Sequence, residues 1–298
     1  SLKNLAIPLN SSFYFLPLQY MTYEELWRRI AAVYDAGEAK AIARLVLDER
    51  FGLSVADVYC GKVTQLSSDE QAELEKMVQR LERMEPVQYV LGSASFCGRQ
   101  FHVEPGVLIP RPETEELCHW ISQTVTGVTR PSILDIGTGS GCIATTLSLE
   151  IKDAEVTAWD ISSEALRIAS SNAERLCANV NFVCQDALHA PADVDKWSVI
   201  VSNPPYICEK EKSAMDSNVL DHEPSLALFV PDDDPLRFYR SISEYGVEAL
   251  NEDGLLFFEI NPLYAEEMVA MLETMRYADV EVRNDQFGKQ RFIKAIKK

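Results

Sequence analysis

From Ser132 onward, short apolar runs alternate with segments of helical periodicity, and this alternation constrains the fold more than any other feature. The runs occupy residues 133–136, 155–159, 180–184, 199–201 and 255–260. Strands that alternate with helices form a parallel sheet covered by helices on both faces. We therefore expect an α/β domain in the C-terminal part of the chain.

The segment from residue 22 to about residue 85 has a different pattern. Tyr23, Leu26 and Ile30 begin a series of apolar residues at helical spacing, which predicts a small all-α bundle of at least three helices. Ser54 and either Ser67 or Ser68 are the expected N-caps of two of them. A chain of 298 residues has room for this bundle beside an α/β domain.

Between these two regions the pattern indicates a β-hairpin linker. Residues 96–103 and 107–109 are β-like, and Glu104-Pro105-Gly106 between them is a predicted turn. The expected organisation is an extension over residues 1–21 that need not be ordered, a helical substrate-docking domain over 22–85, the linker over 86–112 and the α/β domain over 113–298.

Charge and composition narrow the classes of partner. The chain has 46 acidic and 28 basic residues, a net charge of -18, which repels nucleic-acid phosphates and favours a protein substrate. Its seven cysteines and four histidines are scattered without a Cys-x-x-Cys pair, so no metal site is expected. No apolar run approaches the ~20 residues of a membrane helix and no secretory signal is evident, so we expect no membrane partner. The odd number of scattered cysteines does not suggest a disulfide framework, so we expect a reducing cytoplasm.

A glycine-rich loop follows the first apolar run, with the sequence Gly137-Thr138-Gly139-Ser140-Gly141. Glycines allow unusual backbone angles and close approach of a ligand to the main chain, but this spacing is not that of nicotinamide dinucleotide sites. Asp160 ends the second run, where a carboxylate accepts hydrogen bonds from ribose hydroxyls, and Gln185-Asp186-Ala187 ends the third, near an adenine amino group. Each signal alone also fits an ordinary turn, a helix N-cap or an exposed acid; their order favours an adenosine cofactor.

The tetrapeptide Asn203-Pro204-Pro205-Tyr206 follows the fourth run and is the most specific signal in the chain. Prolines donate no N–H, so the turn presents carbonyl acceptors, and Asn203 adds a side-chain carbonyl. An amide or exocyclic amine is a poor nucleophile, and acceptors that hold its N–H groups favour the charge that develops when the nitrogen is methylated. Tyr206 is expected to stack on the planar group. The pattern predicts methyl transfer to a planar nitrogen.

These residues resemble the HemK-type protein-(glutamine-N5) methyltransferases, from about Met21 to the C-terminus. The resemblance also rests on Pro-Val-Gln-Tyr-Val-Leu-Gly at 86–92, Leu-Ile-Pro-Arg-Pro-Glu-Thr-Glu at 108–115, Glu-Pro-Ser-Leu-Ala-Leu at 223–228, and Asp285, Gly288 and Arg291. It implies a helical N-terminal domain, a β-hairpin linker and a Rossmann-like seven-stranded domain whose last strand is antiparallel. It further implies that S-adenosylmethionine methylates the glutamine of the Gly-Gly-Gln motif in class 1 peptide chain release factors, with S-adenosylhomocysteine as the product.

Carried over by position, the resemblance also assigns site residues. The cofactor would contact Gly137, Thr138, Gly139, Ser140, Gly141, Asp160, Asp186, Ala187 and Asn203, while residues 203–206 would hold the glutamine amide. Residues 111–115 would lie near the cofactor pocket, although Pro112 and Glu113 fit the first turn of a helix equally well. Ala187 and Asn261 depart from the family, which has a bulky residue and a glycine there.

Two other functions remain open at this point. DNA adenine-N6 and ribosomal RNA guanine-N2 methyltransferases use related Asn-Pro-Pro-aromatic turns, because an exocyclic amine presents the same chemical problem. The acidity of the chain disfavours them. A noncatalytic S-adenosylmethionine-binding adaptor is disfavoured by residues 203–206, which a binding protein does not require.

Overall fold

The computed structural model describes residues 20–298 and divides them into two compact units, between Arg83 and Met84. Most of the extension expected over residues 1–21 lies outside the described residues. Met21 is buried, and its backbone N–H donates to Gln71 Oε1 at 2.9 Å. No helix within residues 20–298 is long and apolar enough to cross a membrane.

The first unit is the expected helical bundle. It contains α1 (Tyr23–Ile30), α2 (Ala36–Phe51), α3 (Val55–Tyr59) and α4 (Ser68–Leu81), with a short 3-10 helix at Lys62–Gln65. Ser54 and Ser67 are N-caps with capping boxes, as predicted, since each side chain accepts from the third helical N–H. The faces that carry Leu26, Leu47 and Leu74 are fully buried, which explains the apolar spacing.

The second unit begins with α5 (Val87–Leu91), followed by a hairpin of β1 (Ser93–Phe96) and β2 (Arg99–His102). A hairpin was predicted, but with the wrong strands and the wrong turn. The turn is Cys97-Gly98, with φ of 47° and 70°, the positive angles that a two-residue hairpin loop requires. Residues 107–109 are not a strand, and residues 87–91 form a helical turn that Gly92 ends at φ 72°.

A seven-stranded sheet with helices on both faces forms the rest of this unit, as the α/β prediction requires. Its strands are β3 (Ser132–Ile136), β4 (Glu155–Asp160), β5 (Val180–Cys184), β6 (Trp197–Ser202), β9 (Leu250–Glu259), β10 (Tyr277–Asn284) and β11 (Gln290–Lys297). The spatial order is β10-β11-β9-β6-β3-β4-β5. Strands β5, β4, β3, β6 and β9 are parallel, and β11 is antiparallel to both of its neighbours.

Helices cover the two faces separately. These are α6 (Pro112–Thr124), α7 (Cys142–Glu150), α8 (Ser163–Arg175), α11 (Arg237–Ala249) and α12 (Ala265–Thr274). Between β6 and α11 the chain forms four short elements, β7 (Ile207–Cys208), α9 (Ser217–His222), α10 (Ser225–Leu228) and β8 (Phe229–Val230). Short 3-10 helices occur at Ala187–His189, Glu209–Ala214 and Pro262–Tyr264. Leu117 and Ile143 pack in one core, and Tyr239 and Met268 in the other.

The strand order places the site. From β3 the chain proceeds outward through β4 to β5, and then returns to the other side of β3 to form β6. The order therefore reverses between β3 and β6. In open α/β sheets, the crevice at such a reversal, outside the carboxyl ends of the strands, is where ligands bind. Asp160 is the last residue of β4, and Asn203 and the glycine loop directly follow β6 and β3 at that edge.

Candidate active site

The glycine loop joins β3 to α7 and is held against the end of β4. The N–H groups of Gly137 and Thr138 donate to the carbonyl of Trp159 at 2.8 and 2.9 Å, and Gly139 N–H donates to Asp160 Oδ2 at 2.9 Å. Gly137 and Gly139 have positive φ, and a Cβ at either position would meet no atom of residues 20–298 within 4 Å. Both line a cavity of about 560 Å³. The absence of side chains there leaves room for a ligand against the backbone.

The other three loop residues do not face this cavity. Thr138 Oγ1 donates to buried Asp135 Oδ2 at 2.6 Å, and the carbonyl of Ser140 accepts from Asn172 Nδ2 at 2.9 Å. A Cβ at Gly141 would lie 2.9 Å from the Cβ of Ala169 on α8. The third glycine therefore permits close helix packing, while Thr138 and Ser140 hold the loop from behind.

Asp160 reaches the cavity from the end of β4. Its Oδ1 accepts from Ser162 N–H at 2.9 Å, and its Oδ2 accepts from the glycine loop. Desolvation by burial raises the pKa of this carboxyl. Each oxygen keeps a further lone pair, so both can accept from ribose hydroxyls. The N-cap of α8 is Ser162, which excludes the reading of Asp160 as the cap.

Asp186 and Ala187 follow β5 and line the same cavity. Asp186 Oδ1 accepts from Leu188 N–H at 2.8 Å, and Oδ2 lies 2.7 Å from His189 Nδ1. The small side chain of Ala187 is accompanied on the wall by Ile161, Leu188, Phe238 and Ile242. Acidic acceptors, apolar walls and a glycine backbone together fit a nucleoside cofactor such as S-adenosylmethionine, whose apolar base and polar ribose need these surfaces.

A second cavity, of about 260 Å³, adjoins the first at the Asn-Pro-Pro-Tyr turn. Asn203 and Pro204 line both cavities, whereas Pro205 lines only the larger and Tyr206 only the smaller. Ser202 Oγ donates to the carbonyl of Ile136 at 2.6 Å, which ties the end of β6 to β3 just before the turn. The turn thus stands where a group in the small cavity would meet a ligand in the large one.

Glu259 at the end of β9 is a site residue that the sequence reasoning missed. It lines the small cavity, its side chain is buried, and burial raises its pKa. Its Oε1 accepts from Tyr206 OH at 3.1 Å, and its Oε2 accepts from Thr114 Oγ1 at 2.7 Å. The available signal was an acid near the end of the apolar run 255–260, a position similar to that of Asp160 at the end of its own run.

An ion pair between Arg111 and a buried carboxylate, Glu223, also contributes to the small cavity, which Arg111 lines. Arg111 Nη2 lies 2.5 Å from Glu223 Oε1, and Glu223 Oε2 accepts from Ile109 N–H at 3.1 Å. Arg111 is the N-cap of α6 and Pro112 its first residue, so the helix-start reading of Pro112 and Glu113 is confirmed. Arg111 lines the small cavity rather than the large one. The contact explains why the strings at 108–115 and 223–228 occur together.

The doubly wound sheet, the nucleoside-sized cavity at its switch point and the acceptor-rich turn beside that cavity define the class: the protein is an S-adenosylmethionine-dependent methyltransferase. Two family models match it, the methyltransferase small domain over residues 115–222 and the PrmC N-terminal domain over residues 25–92. The first covers the glycine loop and the Asn-Pro-Pro-Tyr turn, and the second covers the helical bundle.

More specifically, the chain belongs to the release factor glutamine methyltransferase family. It is 51% identical over 264 residues to the release factor glutamine methyltransferase of Bacteroides thetaiotaomicron, covering 88% of this chain and 94% of that protein. The enzymes of the same name from Flavobacterium psychrophilum and Bacillus subtilis are each 37% identical over 268 residues, with 94% and 93% of their lengths covered. The resemblance inferred from the motifs is confirmed.

Proposed function

We propose that this enzyme methylates the side-chain amide nitrogen, N5, of the glutamine in the Gly-Gly-Gln motif of class 1 peptide chain release factors, leaving S-adenosylhomocysteine. The observation that carries the proposal is the meeting of a nucleoside-sized cavity and a small cavity at Asn203 and Pro204. The alignments of this chain with relatives named for release factor glutamine methylation cover nearly the whole length of those relatives. Their names supply the substrate, and the small cavity has the lining that a glutamine amide needs.

The chain's own residues divide the work between the two cavities. Gly137, Gly139 and Asp160 would bind the cofactor, which supplies an electrophilic methyl group on a sulfonium. Asn203 Oδ1 and the carbonyl of Pro204 would accept hydrogen bonds from the glutamine N–H groups and stabilise the positive charge that develops on nitrogen. The wall residues exclude water and fix the amide next to the cofactor cavity, so that positioning supplies much of the acceleration.

The role proposed for Tyr206 is narrower than simple stacking. Tyr206 lines the small cavity, and its hydroxyl donates to Glu259 Oε1 at 3.1 Å. A ring fixed at its polar end presents a rigid apolar face, which suits a planar amide and excludes water. We assign Tyr206 to substrate positioning on this ground.

The helical domain over residues 22–85 is proposed to dock the release factor, because it lines neither of the two cavities. The net charge of -18 disfavours nucleic acid as the substrate and favours a protein. No observation at the site favours the nucleic-acid methyltransferase alternative over a glutamine amide.

One labelling experiment tests the proposal. The enzyme is incubated with methyl-labelled S-adenosylmethionine and, separately, with a class 1 release factor, duplex DNA and ribosomal RNA. We expect label only in the release factor, on the motif glutamine by peptide mass spectrometry. A release factor with that glutamine changed to glutamate is the control and should take no label, since a carboxylate offers no N–H groups. Label confined to DNA or RNA would refute the proposal.

A further inference from the structure

A chain of three polar groups, Asn203, Thr114 and Glu259, runs beside the Asn-Pro-Pro-Tyr turn. Asn203 Nδ2 lies 3.4 Å from Thr114 Oγ1, and Thr114 Oγ1 lies 2.7 Å from Glu259 Oε2. Thr114 is on the first turn of α6, and Glu259 ends β9, so the chain joins three separate elements. Thr114 and Glu259 are 3% and 2% exposed, which leaves them to satisfy each other rather than water.

The direction of these hydrogen bonds follows from the number of protons. When Glu259 is ionised it only accepts, and the single hydroxyl proton of Thr114 then points at it. The hydroxyl then has only lone pairs to offer to Asn203, and only the NH₂ end of the Asn203 carboxamide can donate to them. Oδ1 is thereby turned away from Thr114. The two ends of a carboxamide are nearly identical in shape, so packing alone does not select between them.

We infer that Glu259, acting through Thr114, is a positioning residue that sets the orientation of the Asn203 carboxamide so that its oxygen faces the substrate. This inference rests on the proposed function, in which Asn203 Oδ1 accepts from the glutamine amide. With the carboxamide reversed, Asn203 would present N–H groups to the substrate N–H groups. Two donors would then face each other and the amide would lose one of its two acceptors.

The same carboxylate holds the other end of the turn. Tyr206 OH donates to Glu259 Oε1, so one side chain on β9 fixes both the first and the last residue of the tetrapeptide. Arg291 on β11 contributes positive charge to Glu259, and its Nε is 3.2 Å from Asp285 Oδ2. Asp285 and Arg291 thus gain a place in the site, behind Glu259 rather than at the substrate.

The test uses two variants of Thr114, the side chain that links Asn203 to Glu259. Thr114→Val removes the hydroxyl with little change of shape, and Thr114→Ser keeps it. We expect the kcat of Thr114→Val on release factor to fall by about tenfold to a hundredfold, the order of loss for a misplaced reacting group. The Kd for S-adenosylmethionine should change far less than kcat, because Thr114 lines neither cavity and Asn203 is one of many residues that line the larger one. Thr114→Ser should retain most of the kcat.

A second measurement does not depend on the substrate. The Asn203 side-chain NH₂ resonances, identified by their loss in Asn203→Asp, should move in Thr114→Val and stay close to wild type in Thr114→Ser. Unchanged resonances in Thr114→Val, or a wild-type kcat in that variant, would overturn the inference. So would a loss of cofactor affinity in parallel with kcat, which marks general damage. A wild-type enzyme that labels no release factor would instead overturn the proposed function, and the resonances would still decide the orientation of Asn203.

Discussion

At the scale of single residues, three buried carboxylates organise the site. Asp135 on β3, Glu223 beside Arg111 and Glu259 on β9 are all at most 6% exposed. Charged groups are buried only where hydrogen bonds or ion pairs hold them, and each of these carboxylates accepts at least two such contacts. Burial raises the pKa of Asp135 to about 7, with hydrogen bonds from Thr138 and Ala144 opposing the rise.

The raised pKa of Asp135 predicts a pH dependence of stability. Because the folded pKa lies above the unfolded value, the contribution of this group to stability is fully present below about pH 4 and is lost as the pH rises through about 7. Asp135→Asn keeps an acceptor for Thr138 but does not titrate. Between pH 5 and 8 the wild type should therefore lose on the order of 2–3 kcal/mol relative to Asp135→Asn, measured by urea unfolding. Parallel pH profiles of the two proteins would contradict this.

Asn203 is expected to act on the transition state more than on binding. Asn203→Ala removes an acceptor aimed at charge that develops only during transfer, so kcat should fall by roughly 10²–10³ with a smaller change in KM. Asn203→Asp keeps an acceptor oxygen and should retain partial activity, although it loses the donor to Thr114. Steady-state kinetics on release factor measures both variants. Full activity in folded Asn203→Ala would remove this residue from the mechanism.

At the scale of elements, short turns place the functional groups. The glycine loop bends so that Gly137 and Gly139 face the cofactor cavity, whereas Gly141 lies against α8. The Asn-Pro-Pro-Tyr turn is held at its far end by Asn261, whose Nδ2 donates to the carbonyl of Tyr206 at 3.1 Å. Asn261 stands where the family commonly has glycine, and here its side chain supports the turn.

A matched pair of glycine substitutions separates backbone strain from helix packing. Gly141 and Gly98 have φ of 79° and 70°, but a Cβ would be 2.9 Å from Ala169 at Gly141 and would meet nothing at Gly98. Gly98→Ala should cost about 1–2 kcal/mol, the strain of a left-handed backbone. Gly141→Ala should cost about 1–3 kcal/mol more, because α7 and α8 must move apart. Chemical denaturation gives both values, and equal losses would show that the contact with Ala169 relaxes freely.

At the scale of the whole molecule, the chain has two units with different contents. Residues 20–83 form a helical bundle in which Arg29 pairs with Glu75 and Glu82 at 2.6 and 2.8 Å, and residues 84–298 contain the sheet and both cavities. A unit that carries no part of either cavity is free to serve recognition. This division allows the proposed docking role of the bundle to be tested separately from cofactor binding.

Removal of residues 1–83 should therefore spare cofactor binding and weaken release factor recognition. The Kd for S-adenosylmethionine, measured by calorimetry, is expected to stay near the full-length value and also reports that the remaining unit is folded. The KM for release factor should rise, because docking contacts are lost while the amide site is kept. If a truncated enzyme that binds the cofactor normally shows an unaltered KM, the docking role of the bundle is wrong.

The sequence alone determined the α/β fold, the helical bundle and the chemical class. The spacing of apolar residues predicts the helices and strands. The glycine loop is typical of a turn that binds a cofactor, and residues 203–206 are typical of a turn that presents hydrogen-bond acceptors. Proline and glycine constrain their own backbone, so local sequence suffices to predict what they do. The resemblance to the family rested on further short segments of this type, at residues 86–92, 108–115 and 223–228.

The tertiary structure decided which of these residues share a surface. The hairpin turn at Cys97-Gly98 was missed because cysteine rarely takes positive φ, and only the pairing of β1 with β2 imposes it here. Thr138 and Ser140 proved to face away from the cavity, which depends on what lies beneath the loop. Thr114 and Glu259 are 145 residues apart and meet behind Asn203. Contacts between distant segments are set by how helices pack on the sheet, and no local pattern records them.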